Sequence, residues 1–464
     1  MDVRGTGVVG GRFRLGTTLL GSIALLVVLL FSCSSASALP AFARKYGMPC
    51  SSCHEAWPKL SPFGQQFKDN GYQMGNDRDA PIFQNPSYWP VTFRITPQWH
   101  RESTNKAQVD GVDGVGADEA KVTTHGFDWS GLDFHTAGTL ANNISFYVLP
   151  SSDNTGAFHF ESVWARLDNI AGSSWLNVKF GKFELDNLLS EKRILTLTNV
   201  GGFYENYHFQ PMVAPGVPEA SYSFGIGDNQ VGIEWMGHSK DDRTRVSASL
   251  LSSNDGTPGL PTSRGYDGFF AASQAFQLGS LGLQRVGGFA YIGEAPTYFQ
   301  YTLNGTGIPG TGIGNKGFQR YGLIGMWYIK KFDITTMYFH GKDDATLATT
   351  LALTGAPPTP PTGAHSPTWN GALFESHYNF NPQLILINRY EMVRMSQQVF
   401  STNPGNLGNV DTLTFGVRYY PFISSRAGFA YHGEYAISRI RGASPVTLTD
   451  LVSSSLLAGI DFDF

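Results

Sequence analysis

From Val91 to the last residue, side chains alternate between apolar and polar with a period of two. Val91, Phe93, Ile95, Pro97 and Trp99 share one parity, and Thr92, Arg94, Thr96, Gln98 and His100 the other. Leu413, Phe415, Val417 and Tyr419 oppose Thr414, Gly416 and Arg418, while Phe429, Tyr431, Tyr435 and Ile437 oppose His432, Glu434 and Ser438. At the end, Leu456, Ala458, Ile460, Phe462 and Phe464 oppose Gly459, Asp461 and Asp463. Segments of about ten residues, apolar outside and polar inside, are the pattern of a transmembrane β-barrel. A soluble sandwich also alternates, so the connections decide between the two.

Short breaks fall near 138–143, 169–174, 239–244, 279–283, 330–332, 380–383 and 421–425. Longer polar, Gly/Pro-rich ones fall near 103–122, 151–156, 185–228, 253–263, 294–316, 342–365, 397–408 and 441–453. Short and long alternate strictly, as periplasmic turns and extracellular loops do in outer-membrane barrels. Seven short and eight long connections join sixteen antiparallel strands, an even number with both ends on the periplasmic side. The 185–228 stretch is the open point, because a strand within it changes the count to fourteen or eighteen. The fold expected is an all-β transmembrane barrel, and Phe464 resembles the C-terminal aromatic of outer-membrane barrels.

Composition agrees. Charged residues make up 15% of the 464 positions, against about 25% in ordinary soluble domains. A net charge of -4 leaves no basic excess for nucleic acid. The first 38 residues read as an export signal, with Arg4, Arg12 and Arg14 before an apolar core from Leu19 to Phe31 and Ala36-Ser37-Ala38 as cleavage site. Thirteen apolar residues fall short of the ~20 that span a bilayer. Acylation of Cys33 after Leu30-Phe31-Ser32 is the alternative processing. The expected organisation is 1–38 signal peptide, 39–88 a small helical plug domain, and 89–464 the barrel.

One motif carries chemistry. Cys50, Cys53 and His54 are spaced as C-x-x-C-H, which attaches c-type haem. The two thiols add to the haem vinyl groups, and the adjacent imidazole becomes the proximal iron ligand. Structural zinc needs four ligands, and no second C-x-x-C or paired His stands nearby. A Cys50–Cys53 disulfide of thioredoxin type is the other reading, but no βαβ pattern surrounds it. Met74, twenty residues beyond His54, is the soft candidate for the sixth iron ligand, and His100, of lumen parity, is a second. Packing at the porphyrin edge is the bland reading of Met74. Trp57, Leu60, Phe63 and Phe67 have near-helical spacing after His54, which predicts a helix there.

Other candidates are weaker. His125, His135, His159, His208, His238, His340, His365, His377 and His432 are scattered singly and read as lumen, loop or interface residues. The acidic run 110–119 lacks the register of a calcium loop, and the Gly-rich 305–317 lacks the strand–helix context of a phosphate loop.

The stretch 39–76 resembles the head of fused cytochrome–porin proteins, in which a small monohaem cytochrome precedes an outer-membrane barrel. The resemblance is carried by Phe42-Ala43-Arg44, Gly47, the C-x-x-C-H, Pro58, Leu60, Phe63-Gly64, Phe67-Lys68 and Gly71-Tyr72, about forty residues in all. It implies one covalent haem c and one-electron transfer across the outer membrane. The donor implied is extracellular Fe(II) or another reduced species, with a matching Fe(II) oxidase activity. The acceptor implied is a periplasmic cytochrome or cupredoxin. Only about fifty residues separate Ala38 from the first strand, too few to wrap a haem and build a core of their own. The expectation is therefore a haem-bearing plug inside the barrel. A diffusion porin with a structural or regulatory plug, or a periplasm-facing carrier merely anchored by a barrel, are the alternatives.

Overall fold

A computed structural model describes residues 42, 46–56, 59–72, 74, 91–112, 115–152, 155–185, 229–252, 266–296, 299–303, 306–311, 315–344, 366, 368–396, 409–423, 427–442, 444 and 447–463. The chain divides into two units, Met1–Ala38 and Leu39–Phe464. The expected signal peptide, the 185–228 connection, Trp57 and Phe464 lie outside the described residues.

Sixteen strands form one closed barrel. They are Val91–Val112, Val115–Ala141, Ile144–Ser152, Phe158–Leu167, Asn177–Glu184, Asn229–His238, Thr244–Ser252 and Tyr266–Gln277, followed by Leu283–Pro296, Asn315–Ile329, Phe332–Asp343, Thr368–Asn381, Leu384–Met395, Val410–Ile423, Gly428–Ile440 and Leu451–Asp463. Each pairs antiparallel with its sequence neighbour, and the last closes on the first through pairs such as Ala458↔Trp99 and Phe462↔Ile95. Closure leaves no sheet edge, the condition for β structure to cross a bilayer.

The burial pattern is inside out. Phe374, Val417, Tyr431, Leu456 and Phe462 are exposed, whereas Arg94, Glu375, His377, Arg418, Glu434 and Asp461 are buried. Neighbours of opposite parity on one strand thus face lipid and lumen respectively. Arg94, Gln98, Arg418, His432 and Glu434 all take the buried face that their parity predicts. Such a barrel, with an apolar exterior and a polar interior, resides in the bacterial outer membrane.

All seven expected short turns join strands where the sequence puts them. Two expectations change. The stretch 103–122 is no loop: the first two strands run on as a hairpin to Val112↔Val115. Its polar residues reflect exposure to water, and exposure does not prevent backbone pairing. The connection after Pro296 also carries a small hairpin of its own, Phe299–Leu303 with Thr306–Thr311. The wall is uneven as a result, with strands of 22 and 27 residues beside strands of eight to ten between Ile144 and Ser252.

Candidate functional site

The segment before the barrel does not form the helix predicted from Trp57, Leu60, Phe63 and Phe67. Its helix is confined to Pro62–Asp69. Ahead of it, Cys50–Ser52 makes a 3-10 turn, and His54–Ala56 pairs with Lys59–Leu60. The cause is local. Ser61 caps the helix by accepting a hydrogen bond from Gly64 N at 3.1 Å, with Pro62 at the first helical position. Phe63 therefore lies half exposed while Phe67 is buried.

The helix start packs onto the C-x-x-C-H turn. Ser61 N donates to the Cys53 carbonyl at 2.9 Å, and a Cβ on Gly64 would lie 1.9 Å from that same oxygen. Only glycine permits this approach, which fixes the C-x-x-C-H turn against the helix. Cys53 is a half-buried free thiol, pushed up to about 11 by burial. His54, also half buried, opens the small strand pair.

Two seats on the lumen wall hold this segment. At the first, Lys59 Nζ lies 2.8 Å from Asp333 Oδ2 and 3.1 Å from Glu55 Oε2, and donates to His377 Nδ1 at 3.0 Å. Asn379 Nδ2 donates to Glu55 Oε1 at 2.9 Å. Behind them His377 Nε2 meets Glu375 Oε1 at 2.5 Å, and Arg389 Nε donates to Glu375 Oε2 at 2.6 Å. Burial works against the charge on Glu55, but Lys59 and His377 outweigh it and hold its carboxyl well below the usual range. Burial also works against the charge on Lys59, and Asp333 and Glu55 more than reverse it, so its ammonium holds its proton above the ordinary lysine range.

At the second seat, Asp69 Oδ2 meets Arg245 Nη1 at 3.1 Å, and Arg166 Nη2 donates to the carbonyls of Lys68 and Asp69 at 3.1 and 3.3 Å. Lys68 Nζ reaches Glu184 Oε1, the far end of a short strand, at 2.5 Å. Tyr72 stacks between Phe42 (5.0 Å between centroids) and Trp164 (6.1 Å), with Tyr147 at 6.4 Å. Phe67 packs edge-on to Phe42 and Tyr46 at 5.0 and 5.7 Å.

Asp333, His377, Asn379, Arg166 and Arg245 all lie within a few residues of short turns, and short turns face the periplasm. The segment therefore sits in the lumen at its periplasmic end. Met74 packs partly buried against the hydrophobic cluster that includes Phe67 and Tyr72. His100 is elsewhere engaged: its Nδ1 lies 2.6 Å from Asp128 Oδ2, within the wall. The motif residues Cys50, Cys53 and His54 lie on the turn and strand ahead of the helix, Met74 lies just beyond it, and His100 belongs to the first barrel strand. Sequence reading missed Glu55, Lys59, Asp333, Glu375 and Arg389. Their signal was present as charged residues at alternate, lumen-parity positions 333, 375, 377, 389 and 391, which ordinary lipid-facing strands avoid.

The donor set fits a c-type haem: a free thiol, an adjacent imidazole, and apolar rings of Phe42, Tyr46, Phe67 and Tyr72 on the same scaffold.

No protein-family model matches the chain, and no curated protein matches it. Among solved structures, an anion-selective porin from Comamonas acidovorans aligns with a TM-score of 0.49 and 11% identity, over 81% of this chain and 99% of its own. A loop L8 deletion mutant of OmpT, an outer membrane protein of Vibrio cholerae, gives 0.44 and 12% over 81% and 100%. Salmonella typhi OmpF in complex with daunomycin gives 0.43 and 10% over 83% and 100%. Likeness at this level says nothing of what a lumen carries, and the outer-membrane location stands on this barrel's own closure and apolar exterior.

Proposed function

We infer that the protein is a cytochrome–porin fusion that moves electrons singly across the outer membrane, from an extracellular donor such as Fe(II) to a periplasmic carrier protein. One observation carries the reading: the C-x-x-C-H segment is seated inside the lumen by buried charges rather than hanging below it. A haem bound there supplies one-electron exchange at iron.

The chain's own residues have distinct tasks. Cys50 and Cys53 would hold the group covalently, and His54 would ligate its iron. Met74 is the soft candidate for the sixth position, held by its apolar packing. Phe42, Tyr46, Phe67 and Tyr72 exclude water from that side. The Lys59 and Asp69 seats fix the depth of the segment in the wall, which matters because the apolar band is about 25 Å tall and electron tunnelling falls steeply with distance. With a single motif there is no chain of haems to relay across that height, so a seat within the barrel serves transfer better than one beneath it.

The test uses proteoliposomes of one orientation and a reductant that does not cross the membrane. Supplied at the extracellular face, it is expected to reduce the haem, and the Cys50→Ala/Cys53→Ala chain is expected to form the same heat-modifiable barrel without covalent haem. Reduction only from the periplasmic face overturns the conduit. Covalent haem retained in the double variant overturns the attachment site. A large stable conductance in planar bilayers, with no reduction from outside, favours the diffusion porin with a haem-bearing plug.

A further inference from the structure

We propose that Glu55, Asp333 and His377 form a divalent transition-metal site at the seam between plug and wall, which Lys59 fills with a tethered ammonium. The three residues come from distant parts of the chain, and one ligand atom from each lies within 4.8 Å of the others. This is the one such group among the described residues. The Lys59 ammonium stands among them, at 2.8 Å from Asp333, 3.0 Å from His377 and 3.1 Å from Glu55. It has three protons and meets three acceptors.

The surroundings are those of a metal ligand set. An ammonium only donates, so toward Lys59 His377 Nδ1 is an acceptor; Glu55 Oε2 lies 3.2 Å from the same nitrogen, and Nε2 is directed at Glu375 2.5 Å away. Arg389 fixes that carboxylate in turn at 2.6 Å. A carboxylate behind the far nitrogen is the usual device for orienting a metal-binding histidine. Asp333 is buried, and its Oδ1 has no hydrogen-bond partner among the described residues, so one donor oxygen at the cluster is unused.

Charge points the same way. Four carboxylates, Glu55, Asp333, Glu375 and Glu391, meet two cations, Lys59 and Arg389, which leaves two negative charges in excess. A divalent ion in place of the ammonium lowers that excess from two to one. Two carboxylates and one imidazole suit zinc, manganese or ferrous iron, with ligand bonds of about 2.0–2.2 Å for zinc, so the side chains need to close by less than ~1 Å. With Lys59 in place the seat is independent of metal supply, and ions reaching the periplasmic mouth do not compete with the plug for its anchor.

The experiment is equilibrium dialysis of the full-length protein in detergent against Zn2+, with metal per chain measured by elemental mass spectrometry. Lys59→Met is expected to bind one more Zn2+ than Lys59→Met/His377→Ala, at least tenfold more tightly than wild type binds at this site. Any zinc held at the cysteine motif is common to both variants and cancels, so the result does not depend on the haem assignment. Protease protection of residues 54–72 reports that the segment stays seated, and Lys59→Gln, which keeps a donor in the seat, is read in the same way if that protection is lost in Lys59→Met. Equal Zn2+ in the single and double variants overturns the proposal, and so does wild type binding as tightly as Lys59→Met.

Discussion

The two seats hold the same short segment by different physics. The Lys59 seat is nearly all charge, with one ammonium against Glu55 and Asp333 and a histidine–carboxylate–arginine relay behind. The Tyr72 seat mixes rings with charge: Phe42, Tyr72 and Trp164 in sequence, then Asp69 with Arg245 and Arg166 on backbone carbonyls. Ion pairs in a low-dielectric setting are unforgiving of a missing partner, while stacked rings lose contact area gradually. The charged seat therefore defines position and the aromatic seat supplies tolerant adhesion.

The largest effect should come from cutting the charged seat on one side. Lys59→Ala leaves Glu55 and Asp333 facing each other without their cation, and removing one partner of a buried pair costs about 3–5 kcal/mol. The barrel strands do not depend on Lys59, so heat-modifiable migration should persist while protease cuts near residues 54–72 appear. If the segment stays as protected as in wild type, the charged seat does not set its position. A smaller loss is expected for Tyr72→Leu, which keeps much of the volume but removes the stacking, about 1–2 kcal/mol. Part of that loss is returned in neither state, because Tyr72 has φ +58° and leucine is no more at ease there. Protease protection equal in the two variants would erase the proposed distinction between seats.

Much of the barrel was legible from the sequence because its rule is local. Parity at Arg94, Arg418 and Asp461 against Phe93, Val417 and Phe462 follows from a two-residue period, and the turn spacing counted sixteen strands. The stretch 103–122 was misread because polarity was taken for a loop, whereas paired backbone tolerates polar side chains where water covers both faces. The helix after His54 was misread because 3.6-residue spacing survives by chance across the Ser61-Pro62 cap, where backbone geometry rules. The Lys59 seat was not legible at all. Glu55 and His377 are 322 residues apart, and their meeting depends on how deep the segment enters and on which of sixteen strands it touches. Parity showed that His377 faces inward, but nothing local showed what waits for it there.

The smallest effect is the response of the charged seat to pH, and its sign is fixed by the two shifts. The carboxyl of Glu55 titrates well below its usual 4.5 in the folded protein, so its contribution is present above 4.5 and is lost as pH falls through the depressed value. The ammonium of Lys59 titrates above its usual 10.5, so its contribution is present below 10.5 and is lost as pH rises through the raised value. Between these limits Glu55 and Lys59 keep their charges, so any change in protease protection of residues 54–72 from pH 5 to pH 9 comes from the other titratable members of the seat, His377 and Asp333. Loosening through Glu55 should begin only in acid below 4.5. Glu55→Gln has no carboxylate to protonate and should show less of that acid-dependent loss, while remaining weaker than wild type at pH 7 because Lys59 loses one of its two anions. The aromatic seat has no such dependence through Tyr72, Phe42 and Trp164. Acid-dependent loss equal in wild type and Glu55→Gln would mean that the Glu55 carboxyl does not control the segment.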